Sequence, residues 1–163
     1  SVASRGLGDV YKRQTLNKLY SSKERLQKIV SDIIFDMETK PRLKQDRGTA
    51  MLVAGSIYQA CRYWELFQMG GFKRCAVVTS YEPSDSSIRT SASDPDQESE
   101  DEYKKRIYER MLDGKSVKEF EDEAKRLFKD EPARMKLLIV VDKLLTGFDA
   151  PSATYLYLSL IHI

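Results

Sequence analysis

The chain has 163 residues, 41% of them hydrophobic, with 27 Lys and Arg against 25 Asp and Glu and a net charge of +2. That length suits one α/β core and leaves little for a second domain, while the lack of a bilayer-length apolar run or a secretory leader reads as a soluble, cytoplasmic protein. The lone histidine, His162, lies beside the C-terminus, which argues against a histidine base in a pocket or a Cys/His zinc set; the charge surplus sits in residues 1–14 (Arg5, Lys12 and Arg13 against Asp9), so bulk charge says nothing for or against DNA.

Apolar side chains recur at Leu16, Leu19, Leu26, Ile29, Ile33 and Met37, mostly three, four or seven apart, which predicts one long amphipathic helix ended by Pro41. The unbroken apolar run Ala50–Ala54 after Gly48 predicts a buried strand that turns at Gly55 and Ser56. Ile57, Ala60, Trp64 and Phe67 then share one face of a helix that Gly70–Gly71 closes. A second buried strand is predicted at Cys75–Thr79. Cys61 and Cys75 both lie in apolar runs and read as buried, reduced thiols.

Between Ser80 and Glu102 the composition turns to Ser, Asp, Glu and Pro, the mark of a solvated insertion, and no site is read there. A helix follows at Tyr103–Leu112. Ser116 with Glu119 supplies a capping box for another, whose inner face is Val117, Phe120, Ala124 and Leu127. Leu137–Val141 is a third buried strand; a polar loop, Asp142 to Pro151, separates it from a fourth at Thr154–Leu158. Apolar strands alternating with helices predict an α/β fold with a parallel sheet covered on both faces, and ligands in such sheets meet the loops at the carboxyl ends of strands. Two loops qualify, Gly55–Gln59 and Asp142–Pro151.

Residues 15–158 are expected to form the folded unit. The segments 1–14 and 159–163 read as foreign to it, because the first shows neither helical nor strand periodicity and the second follows a good strand without turn chemistry; both resemble translated sequencing-adaptor sequence.

The run Val140 to Pro151, VVDKLLTGFDAP, resembles motif V of superfamily-two helicases in the variant typical of type I restriction enzyme R subunits, and Ala50 to Phe67, AMLVAGSIYQACRYWELF, is similar to their motif IV. The resemblance covers nearly all of residues 15–158. It implies a RecA-like fold, the second of two such domains in a DNA-translocating motor, with ATP in the cleft between them and double-stranded DNA across the pair. It further implies Mg2+ alongside ATP, modification and specificity subunits as partners, a prokaryotic host and no membrane.

Gly147 and Asp149 match the Gly-x-Asp of motif V, which faces the nucleotide: glycine permits a close backbone approach, and a carboxylate accepts from ribose hydroxyls or arginines. A plain turn with Asp149 bonded to local amides is the bland alternative. Ser56 matches the polar position at the end of the motif IV strand, where the nucleic-acid backbone is contacted; a helix cap is the other role, and one residue can serve both. Val141 stands where many related helicases place a backbone-contacting threonine, with Thr146 a weak substitute. Tyr58, Tyr63 and Trp64 invite base stacking, though Trp64 lies on the apolar face; Arg62, Lys73, Arg74 and Lys143 are surface cations that could track phosphate. No G-x-x-x-x-G-K-[ST] loop occurs in the sequence, so ATP phosphates are expected to be held mainly by the other motor domain, and an arginine-bearing motif is expected beyond Leu158. The rival readings are another superfamily-two helicase or type III restriction subunit, and an inactive α/β interaction module.

Overall fold

The computed structural model describes residues 22–45, 47–83, 98–141 and 154–159. The first helix, α1 (Ser22–Thr39), buries Leu26, Ile33 and Met37 as the spacing predicts, but Val30 takes the buried place between them and Ile29, expected inside, is only partly covered. It stops two residues before Pro41, where the Thr39 hydroxyl donates to the Phe35 carbonyl oxygen at 2.8 Å. The expected start of this helix at Leu16 falls outside the described residues. Strand β1 (Ala50–Ala54) runs into α2 (Ile57–Met69), and the chain returns through β2 (Cys75–Val77). Helices α3 (Glu100–Leu112) and α4 (Val117–Asp130) precede β3 (Leu137–Val141), and β4 (Tyr155–Leu158) completes the described sheet.

The four strands lie in the order β2-β3-β1-β4, and every neighbouring pair is parallel. This is the α/β, RecA-like arrangement that the apolar runs and the resemblance predicted. Alternation along each strand divides the core in two. Leu52, Ala54, Val77, Leu137 and Ile139 pack with side chains of α1, α2 and α3, whereas Met51, Ala76, Val78, Leu138 and Val140 pack with Ala124, Leu127 and Phe128 of α4. Three helices thus cover one face and α4 the other. Burying a side chain such as Phe67 or Ile139 completely stabilises the fold by about 1.5–3 kcal/mol, which is why continuous apolar strands settle in the middle of these layers.

The edge strand β4 departs from the fully buried pattern. Tyr155 and Tyr157 lie on the α1 side, where the Tyr157 hydroxyl donates to Asp36 Oδ2 at 2.7 Å, but Leu156 and Leu158 remain 55% and 59% exposed. Their register partners are Met51 and Val53, on the face where α4 packs toward β3. Hydrogen bonding runs one residue past the strand: the Ser159 amide donates to the Val53 carbonyl at 3.0 Å, and its hydroxyl meets the buried Tyr63 hydroxyl at 2.8 Å.

At the amino edge of the sheet, buried Lys136 donates from Nζ to the carbonyls of Gln45 and Gly48, at 2.7 and 2.8 Å. Gly48 lets the backbone pass close to Arg42, since a Cβ there would lie 1.9 Å from the Arg42 carbonyl oxygen. Both cysteines are free and buried, as expected, and burial pushes each thiol up to about 12. No helix among the described residues is long and apolar enough to cross a membrane.

Candidate functional site

At the carboxyl edge of the sheet, the paired register sets strand ends at matching heights. Ala54 at the end of β1 pairs with Val141 at the end of β3, so the Gly55–Gln59 turn and the segment that begins at Asp142 leave adjacent strands side by side. On the other flank of β3, Val77 and Leu52 share the partner Ile139, so β2 ends two residues short of the end of β1.

The turn after β1 is organised locally. Ser56 has extended backbone and caps α2, its side chain accepting from the Gln59 amide at 3.1 Å, while Gln59 Oε1 accepts from the Gly55 amide at 2.7 Å. The cap role of Ser56 is therefore real. It leaves the hydroxyl proton free to donate outward, because the captured atom is the oxygen. Ser56 is exposed, and the first turn of α2 carries no acidic residue, so a phosphate oxygen would meet a partial positive charge there without repulsion. The first turn of α3 is the opposite case, with Glu100, Asp101 and Glu102 behind its Ser99 cap.

The turn after β2 is held from a distance. The Val78 amide continues the ladder to the Ile139 carbonyl at 2.9 Å, and then the backbone leaves the sheet. The Thr79 and Ser80 amides both donate to Oε2 of Glu121 at 2.9 Å, and the Ser80 amide also approaches Oε1 at 3.2 Å. Glu121 is only 5% exposed, on the inner face of α4 between Val117 and Ala124. The expected strand Cys75–Thr79 accordingly ends at Val77: the Val78 amide still reaches Ile139, but the Thr79 amide turns to a carboxylate instead of a neighbouring strand. Ser80 takes a left-handed conformation, φ 59°. The Thr79 hydroxyl shares a 2.6 Å hydrogen bond with the Tyr108 hydroxyl, whose pKa is raised, chiefly by burial. Beside this turn a cleft of about 190 Å³ opens between Ser80, Glu82 and the start of α4, where Lys118 is neutralised by Asp122 at 2.9 Å.

Other candidates fall in different places. Trp64 and Tyr63 are core residues, buried to 7% and 0% exposure, and are not free to stack on bases. Tyr58 meets Tyr103 edge-on at 5.3 Å, and the Arg62 guanidinium lies over both rings, which makes this trio an α2–α3 packing layer. Lys73 and Arg74 precede β2 at the amino edge, where the Arg74 carbonyl accepts from the Lys136 and Leu137 amides, so neither can join the carboxyl-edge turns. Gly147, Asp149, Thr146 and Lys143 lie outside the described residues.

The signal that would have exposed Glu121 is its place on the helix face. Val117, Glu121, Ala124 and Phe128 form one stripe at spacings of four, three and four; the structure buries all of them and leaves Phe120, expected inside, partly covered. An acid on an apolar stripe needs a buried donor, here supplied by a turn some forty residues earlier.

Residues 46–160 match the family model described as Type I restriction enzyme subunit R domain 3. Among curated proteins none matches the chain. With the family match extending over most of the chain, and over every described strand, the protein belongs to the family of domain 3 of the type I restriction enzyme R subunit.

Proposed function

We propose that this domain is the second RecA-like half of the ATP-driven, DNA-translocating motor of a type I restriction endonuclease, where it forms one wall of the ATP cleft and part of the track for double-stranded DNA. The observation that carries the reading is the pairing of Ala54 with Val141, which launches the Ser56 turn and the segment containing Gly147 and Asp149 from neighbouring strand ends. Ser56 serves the DNA backbone, with Thr146 as a second hydroxyl, and neither contact depends on base identity, as translocation requires. Gly147 and Asp149 serve the nucleotide.

The described residues are poorly suited to grip a triphosphate by themselves. The Gly55 amide is already taken by Gln59, and no lysine stands in the Gly55–Gln59 turn. ATP and Mg2+ are therefore assigned mainly to the other motor domain, with the modification and specificity subunits as protein partners and the cytoplasm as the compartment. When bound, ATP supplies the free energy of phosphoryl transfer; the part played by this chain is to position one side of the nucleotide and to hold the backbone of DNA.

Steady-state phosphate release by the full R subunit, with and without DNA, tests the proposal. Asp149→Ala should depress DNA-stimulated turnover by about tenfold or more while leaving the thermal melt unchanged, because a cleft-facing carboxylate positions substrate without supporting the core. The 163-residue chain alone should show no turnover and no DNA cleavage. Unchanged turnover in the variant would reduce Asp149 to a structural turn residue, and robust turnover by the chain alone would overturn the division of labour between two motor domains.

A further inference from the structure

We propose that the amino edge of the sheet is a basic surface that holds the phosphate backbone of double-stranded DNA, on the side of the domain opposite the Ser56 turn. Such a contact lies outside the track assigned above and needs no nucleotide.

Charge is spread unevenly over the connections. The stretches that enter β1, β2 and β3, residues 40–49, 70–74 and 131–136, hold eight cations against two acids, Asp46 and Glu131, in a chain whose totals are 27 and 25. Hydrogen bonds gather these stretches at one edge. Lys136 donates from Nζ to the Gln45 and Gly48 carbonyls, while its amide donates to the Arg74 carbonyl and its own carbonyl accepts from the Ala50 amide. With Ala50, Leu137 and Cys75 in register and strands about 4.8 Å apart, the three entries span roughly 10 Å, a width that faces about six charges of a duplex.

The cations of this edge also differ from those on the helices. There Lys28 meets Asp32, Lys118 meets Asp122 and Arg126 meets Glu123. At the amino edge Arg42, Lys44, Arg47 and Lys73 are exposed and make no ion pair among the described residues; Arg74 reaches the Ala133 carbonyl at 3.5 Å and lies over Phe72, and Arg134 shares Glu131 with Arg126. Cations gathered without counter-charges repel one another, and a polyanion relieves that repulsion. A duplex fits this surface better than an acidic protein does. Protein interfaces are anchored by apolar and aromatic side chains, whereas Leu43, Phe72 and Met135 of these stretches are already buried in the core; a phosphate backbone requires only cations.

Fluorescence anisotropy of the 163-residue chain with a labelled duplex of arbitrary sequence, repeated over a range of salt, tests the proposal. The logarithm of affinity should fall against the logarithm of salt with a slope of roughly −4 to −5, as five neutralised phosphates require. Arg42→Gln/Lys44→Gln/Arg47→Gln should flatten that slope by roughly 3 and weaken binding at about 50 mM salt tenfold or more. Lys73→Gln/Arg74→Gln, in a different stretch, should flatten it by roughly 2. All five side chains belong to exposed residues, so the thermal melt should not move. Lys28→Gln/Lys118→Gln removes two helix cations that already face acids and should match wild type.

No binding at about 50 mM salt overturns the proposal, as does a slope that both amino-edge variants leave unchanged. Poly-glutamate that binds as tightly as the duplex at equal charge concentration makes the occupant an acidic protein segment and overturns the DNA assignment. Binding lost in Ser56→Asp but kept in both amino-edge variants puts the duplex at the carboxyl edge, which sinks this proposal and leaves the motor reading standing.

Discussion

The two turns at the carboxyl edge of the sheet perform the same structural task by different means. After β1, Ser56 and Gln59 satisfy the exposed amides from within a five-residue stretch, using the next helix as its own anchor. After β2, the Thr79 and Ser80 amides are satisfied by Glu121, and the Thr79 hydroxyl by Tyr108, 42 and 29 residues away in sequence. The local turn forms as soon as its helix does. The remote one forms only once α4 has docked, which couples its geometry to the packing of the face that α4 covers. Substitutions near the first should therefore be absorbed nearby, whereas substitutions supporting the second should weaken the whole domain.

The largest expected effect is on the remote turn. Glu121→Ala leaves two amides without their acceptor and should lower stability by about 3 kcal/mol, read as a lower urea midpoint. A loss of only a few tenths would mean that water replaces the carboxylate readily, and the contrast between the turns would vanish. Tyr108→Phe removes a single buried hydroxyl and should cost about 1–2 kcal/mol, with Thr79→Val adding less than its cost alone, because the two hydroxyls bond each other while Thr79 Oγ1 also accepts from the Tyr81 amide. Full additivity in the double variant would show that the 2.6 Å contact contributes no coupling.

The smallest effect is expected at the local turn, and it separates the two roles of Ser56. Ser56→Ala should cost about 1 kcal/mol through the lost cap. Ser56→Asp caps as well as serine and should leave stability within about 0.5 kcal/mol, yet it sets a negative charge where a phosphate would lie. DNA stimulation of the R subunit should then fall for aspartate more than for alanine. Equal stimulation in both would confine Ser56 to capping.

What the chain revealed before any fold was known follows the same division between near and far. Ala50–Ala54 and Leu137–Val141 were legible to the residue because a run of apolar side chains with turn residues at its end has few other uses in a parallel α/β domain. Caps at Ser56 and Ser116 were legible because their partners lie three residues on. The motif V resemblance at Gly147 and Asp149 was read from residue identity alone.

Tertiary structure decided whatever depends on which distant atom arrives. It ended β2 at Val77, placed Lys73 and Arg74 on the far edge from Ser56, left Leu156 and Leu158 exposed at β4, and made Glu121 the acceptor for a turn after another strand. Periodicity reports which face a side chain shares, and a buried carboxylate is tolerated only where a donor meets it. The identity of that donor is set by strand order and register, which short-range sequence pattern does not carry.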